Sequence, residues 1–86
     1  MGWRRSNLKI ALVTGAGSGF GYLTTLTLLE EGMHVIATMR TLQTEQKLRQ
    51  DAEDRGVAAR LTILQMDVTN HDQVEKAKEY VDKQFN

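Results

Sequence analysis

Four glycines fall within seven residues, Gly15, Gly17, Gly19 and Gly21, inside the stretch Thr14-Gly15-Ala16-Gly17-Ser18-Gly19-Phe20-Gly21. Glycine loses more conformational freedom on folding than any other residue, so a connecting turn alone would not need so many. The cluster follows an apolar run at 9–14 (Lys-Ile-Ala-Leu-Val-Thr) and precedes a leucine-rich stretch at 20–31. A glycine loop between a strand and a helix is what a bound phosphate requires. Backbone N–H groups can approach the anion without an obstructing Cβ. The helix that follows adds its unpaired N–H groups and the positive end of its dipole. In such a loop glycine has three separate tasks: the tight turn, the close approach to the anion, and the contact between helix and strand.

The rest of the chain supplies the matching frame. Apolar runs at 9–14, 34–39 (His-Val-Ile-Ala-Thr-Met) and 60–66 (Arg-Leu-Thr-Ile-Leu-Gln-Met) read as buried strands. Between them, 20–31 carries Phe20, Leu23, Leu26 and Leu29 at helical spacing, and 44–55 is polar but rich in helix formers. Gly32 and Gly56 follow these two stretches, where a residue of positive φ ends a helix. Asn70 with Gln73 resembles a capping box, and Val74, Ala77, Val81 and Phe85 line one face of a last helix. The pattern is β-α-β-α-β-α, an α/β fold with a parallel sheet of Rossmann type. Right-handed crossovers put the strands in the order 3-2-1, with 9–14 outermost. Near-continuous apolar strands predict helices on both sheet faces.

Composition excludes several functions. Eleven basic and eleven acidic residues leave no net charge, against a nucleic-acid or anionic-membrane binder. Cysteine is absent, which removes disulfides and thiol chemistry, and two histidines, His34 and His71, make a poor start for a metal site. No apolar run approaches the ~18 residues of a membrane span. Residues 1–7 begin with basic character but lack the apolar core of a signal peptide, so a flexible leader and a cytoplasmic chain are expected. Gly2 and Ser6 fit a loose myristoylation pattern, against which the bulky Trp3 argues.

Thr-Gly-x-x-x-Gly-x-Gly, matched by Thr14, Gly15, Gly19 and Gly21, resembles the cofactor motif of the short-chain dehydrogenase/reductase family. The resemblance runs along the chain from about Leu8, so that 8–86 looks like the first three βα units of a domain that in the family reaches roughly 250 residues. It implies an oxidoreductase moving hydride between a nicotinamide cofactor and a carbonyl or alcohol. It implies cofactor contacts from Thr14, Gly15, Ser18, Gly19, Phe20 and Gly21, and from Asp67 and Val68, a pair similar to the family's Asp-Val that meets the adenine. An NAD site commonly carries a carboxylate at the end of the second strand, for the ribose hydroxyl. Met39 stands there instead and Arg40 follows; a guanidinium can pair a 2′-phosphate, so NADP is favoured over NAD. An arginine in a solvated loop and an aspartate starting a turn are the plainer readings of Arg40 and Asp67.

The family's catalytic Tyr-x-x-x-Lys pair, its serine and its Asn-Asn-Ala-Gly turn are missing. Tyr22 is followed at +4 by Leu26, and Tyr80 by Gln84. No catalytic residue is assigned, and the chain by itself is expected to be inactive. The alternatives to a truncated oxidoreductase are a non-catalytic nucleotide-binding module and an inert remnant. The outer strand Ile10-Ala11-Leu12-Val13 presents a bare apolar edge, and self-association through that edge, or by exchange of the last helix, is expected.

Overall fold

The computed structural model describes residues 9–85; the leader expected over 1–7 lies outside them. Strand β1 (Ile10–Val13) leads through the glycine loop into helix α1 (Gly19–Glu30), followed by β2 (His34–Met39), α2 (Glu45–Asp54), β3 (Leu61–Gln65) and α3 (His71–Phe85). Single 3-10 turns at Leu42–Thr44 and Ala58–Arg60 introduce α2 and β3. The three strands are parallel, in the order β1-β2-β3, so the strand order read from the sequence stands. Ile10 pairs with His34 and Val13 with Ala37; on the other side Val35 pairs with Leu61 and Met39 with Gln65.

Both predicted helix stops use the same chemistry. Gly32 and Gly56 have φ of +95° and +73°. After α1 the Gly32 N–H donates to the Leu29 carbonyl (3.0 Å) and the Met33 N–H to that of Leu28 (3.1 Å). After α2, Gly56 donates to Glu53 (3.0 Å) and Val57 to Ala52 (2.9 Å). This double bond of the Schellman type satisfies the last carbonyls and turns the chain back toward the sheet. At α1 the Arg60 guanidinium adds a third donor, 2.5 Å from the Leu29 carbonyl, where the helix dipole favours a cation.

The core lies between the sheet and α1 with α2. Val35, Ala37 and Met39 of β2 cluster with Leu26 and Leu29 of α1 and Leu48 and Ala52 of α2, and Val57, Leu61 and Ala16 complete the cluster. α2 is otherwise polar, so Leu48 and Ala52, both fully buried, are what fix it to the core. Two buried hydroxyls find carbonyls: Thr25 Oγ1 donates to Gly21 (2.8 Å) and Thr38 Oγ1 to Val13 (3.1 Å).

Two expectations need correction. Phe20 and Leu23 do not belong to the buried face of α1; they are 88% and 62% exposed. At 100° per residue Phe20 lies about 180° from Leu29, so a helix this rich in leucine can bury only part of its apolar surface. The buried arc is centred on Thr25, Leu26 and Leu29. Nor are both sheet faces evenly covered. β2 is buried from Val35 to Met39, but Leu12 of β1 is 52% exposed. α3 buries Ala77, with Val74 and Val81 half-buried; the side chain of Phe85 lies outside the described residues.

α1 and α2 are joined by Tyr22, whose hydroxyl donates to the Asp51 carboxylate while Lys47 Nζ stands 5.3 Å from the ring centroid. Burial, then the bond to Asp51 and its negative charge, push the Tyr22 hydroxyl up to about 12. Because this value lies above the ordinary 10.0, the stabilisation is complete below pH 10 and is lost as pH rises through 12. An ultraviolet titration of tyrosinate is expected to show one late-titrating tyrosine, absent in Tyr22→Phe. The same substitution should lower unfolding stability by about 1 kcal/mol at neutral pH.

Candidate functional site

Parallel strands bring their carboxyl ends to one edge of the sheet, and the three loops that leave β1, β2 and β3 gather there. In α/β sheets this edge is where ligands bind.

The first loop is the glycine cluster. Gly15 has φ +66° and Gly19 φ +54°, conformations that side chains rarely adopt, although a Cβ at either would meet nothing within 4 Å. Gly21 is different. A Cβ built there would lie 2.2 Å from the Gly15 carbonyl oxygen and 2.7 Å from its carbon. Two of the glycines are therefore required by backbone angle and one by space. Ala16 is fully buried, and its N–H donates to the Thr38 carbonyl (3.0 Å), which ties the loop to β2. Ser18, in extended conformation, precedes α1 without a side-chain cap, and the first turn holds no acidic residue. The start of α1 thus keeps N–H groups and dipole available to an anion.

The second loop leaves β2 at Met39. That side chain is 2% exposed and belongs to the core. The Met39 carbonyl accepts from the Met66 N–H (2.9 Å) and the Arg40 carbonyl from Gln65 Nε2 (3.1 Å), so the backbone at Arg40 is held to β3. Its guanidinium is exposed and has no hydrogen bond or ion pair among the described residues.

The third loop is organised by Asp67. Its Oδ1 accepts from the Thr69 N–H (2.9 Å) and hydroxyl (2.7 Å), and its own N–H donates to Gln73 Oε1 (2.6 Å). The Thr69 hydroxyl, then the Thr69 N–H, hold the Asp67 carboxyl below its usual value, and the charge of Arg40 acts in the same direction. The capping box read from Asn70 and Gln73 is half formed. Gln73 N–H donates to Asn70 Oδ1 (3.2 Å), but the Gln73 side chain turns to the Asp67 amide instead of the Asn70 amide. Asn70 has no need of it, since its N–H already donates to the Asp67 carbonyl (2.8 Å).

Two open cavities adjoin at these loops. One, of about 320 Å³, is lined by Gly15, Gly17 and Ser18 and by 39–41, Gln43 and Thr44. The other, of about 260 Å³, is lined by Thr14, Gly15, Arg40 and 66–69. Gly15 and Arg40 line both, so the two are lobes of one cleft. Of the residues singled out in the sequence, Thr14, Gly15, Ser18, Arg40, Asp67 and Val68 come together there. Gly19 and Gly21 shape the loop without lining either lobe, and Phe20 points away. Thr41, Gln43 and Thr44 were missed; they sit in a short turn with no periodicity to mark them. Tyr22 lines neither lobe, and Tyr80 lines a separate cavity with Leu64 and Ala77. Among the described residues no cluster of ligating side chains could hold a metal, and no helix is long and apolar enough to cross a membrane.

The geometry makes opposite predictions for two glycines. A Cβ at Gly17 would make ordinary contacts, 3.6 Å to Met39 Cβ and 3.7 Å to Thr44 Oγ1. Gly17→Ala should shift unfolding stability by no more than about 0.5 kcal/mol. Gly21→Ala forces backbone apart and should cost about 3 kcal/mol or more, read from urea denaturation midpoints.

Comparison with known proteins agrees with this arrangement. A family model described as short chain dehydrogenase matches residues 9–86. The chain is 36% identical over 84 residues to the 3beta-hydroxysteroid dehydrogenase dhs-16 of Caenorhabditis elegans, covering 91% of this chain and 20% of that protein. Among solved structures it superposes on YwfH, an NADPH dependent reductase involved in bacilysin biosynthesis, with a TM-score of 0.83 at 19% identity, covering 91% of this chain and 33% of that one. It also superposes on a 4-hydroxyisoleucine dehydrogenase complexed with NADH, with a TM-score of 0.68 at 25% identity, covering 88% and 29%. The chain thus spans about a fifth to a third of the length of these relatives.

Proposed function

The chain belongs to the short-chain dehydrogenase family, and from that premise we propose that it holds the cofactor of an NADP-dependent oxidoreductase acting between a carbonyl and an alcohol. The observation that carries the reading is Arg40. Its backbone is pinned to β3, its guanidinium makes no hydrogen bond or ion pair among the described residues, and it borders both lobes of the cleft. A free guanidinium at this position suits a 2′-phosphate, which it can grip through two parallel hydrogen bonds. The residue before it, Met39, is buried and apolar and supplies no carboxylate to repel that phosphate.

The remaining contacts follow from the loops. The amides of 15–21 and the uncapped start of α1 offer hydrogen bonds to a pyrophosphate. In the second lobe the Asp67 carboxylate, ionised at neutral pH, can accept from the adenine amine, and the exposed Val68 can lie against the ring. A bound nicotinamide supplies the hydride; the protein's part in these residues is to hold and orient. Proton transfer needs another group. Neither Tyr22, committed to Asp51, nor Tyr80, in a cavity outside the cleft, is assigned that role.

Arg40→Asp replaces attraction to the 2′-phosphate by repulsion. Loss of a charge-assisted contact is worth about 1.5–3 kcal/mol, so the ratio of NADH to NADPH dissociation constants should fall by about tenfold or more. Fluorescence titration with both cofactors measures it, and an unchanged ratio reduces Arg40 to a loop residue.

The same chain also has a reason to self-associate. Among the described residues β1 pairs with β2 on one side and with no strand on the other; Leu12 on its face is half-exposed, and Phe20 and Leu23 of α1 are exposed as well. An apolar edge of this kind is a template for strand pairing. We expect light scattering to show concentration-dependent dimers or larger species at micromolar concentrations. A monodisperse monomer would remove the edge from consideration.

A further inference from the structure

We infer that Asp67 is a specificity residue that acts against Arg40, its carboxylate holding down the preference of the cleft for the phosphorylated dinucleotide. The inference rests on the reading of Arg40 as the 2′-phosphate ligand. Both residues line the same lobe of about 260 Å³, together with Thr14 and Gly15, and the strands that carry them, β2 and β3, are neighbours in the sheet. Asp67 is held in place: Thr69 binds its Oδ1 twice, and Gln73 holds its amide. Neither residue closes on the other, since no ion pair joins them among the described residues. The guanidinium therefore stays open to a ligand with a fixed negative charge nearby. That the charge of Arg40 bears on the Asp67 carboxyl is consistent with this proximity.

The consequence differs between the two cofactors. A 2′-phosphate enters as an anion and meets the attraction of Arg40 together with the repulsion of Asp67. A ribose hydroxyl carries no charge and is indifferent to both. Asp67 thus weakens NADPH binding selectively, whatever it contributes to the adenine, because an adenine contact is common to both cofactors. Exposed charge pairs are worth a few tenths to one kcal/mol, so the effect on the ratio of dissociation constants is about two- to fivefold.

Asp67→Asn removes the charge and keeps the Oδ1 acceptor for Thr69. Calorimetric titration of the purified chain with NADPH and with NADH gives the ratio directly. We expect Asp67→Asn to raise the NADH-to-NADPH ratio of dissociation constants two- to fivefold, and the rise to shrink when salt is increased to about 1 M, where screening is within ~3 Å. Asp67→Ser, which can close the same turn, should act in the same direction. If both constants move together and the ratio does not, Asp67 serves only the adenine or the turn, and the inference fails while Arg40 keeps its role. Arg40→Gln separates the two failures. If it leaves the ratio of the native chain unchanged, the reading of Arg40 is wrong, and the inference falls with it.

Discussion

No side chain fits between the first turn of α1 and the carbonyl of Gly15. A Cβ at position 21 would stand 2.2 Å from that oxygen, well inside any tolerable contact. The bare Gly21 Cα lets the helix begin directly on the loop that left β1. Two features then coincide that a longer connection would separate: a loop with left-handed turns at Gly15 and Gly19, and the uncapped amino end of a helix. The meeting of glycine loop and helix start at this corner depends on that approach. The glycines have unequal tasks within it, two serving backbone angle and one serving space, while position 17 has room for a methyl group.

From that contact the site extends across the sheet through the end of β2. The Thr38 carbonyl holds the glycine loop through Ala16, the Met39 carbonyl holds the loop after β3 through Met66, and the Arg40 carbonyl is held by Gln65. Three successive carbonyls set three loops at one level. They can do so because β2 is paired on both sides and buried from Val35 to Met39. An arginine projecting from such an anchored backbone loses less freedom on binding than one on an unsupported loop.

Packing is less even than the loops. One face of the sheet is closed by α1 and α2, fastened by Leu29 and Leu48 in the core and by Tyr22 with Asp51 at the surface. Toward α3 the cover is thinner, with Ala77 its one buried side chain among those described and Leu12 left half-exposed. The better-packed side also carries the glycine loop, through the buried Ala16.

Much of this was legible in the residues themselves. Glycine spacing, apolar runs and the stops at Gly32 and Gly56 predict three βα units, their order and the tight loop between β1 and α1. These signals are local: each reports a backbone angle or a period that a few neighbours dictate. Arg40 and Asp67 could be singled out by position relative to those units. The buried face of α1 could not, because a helix with apolar residues all round says nothing of which arc meets the sheet, and docking left Phe20 and Leu23 outside. The half-formed capping box was also beyond reach, since Gln73 chooses between two amides only once the turn at Asp67 has brought both near. The inclusion of Thr41, Gln43 and Thr44 in the cleft, and the placing of Arg40 and Asp67 in one lobe, were likewise decided by tertiary structure. Sequence determines which backbone shapes are open to each segment; only the close approach of segments distant in the chain decides which side chains share a cavity.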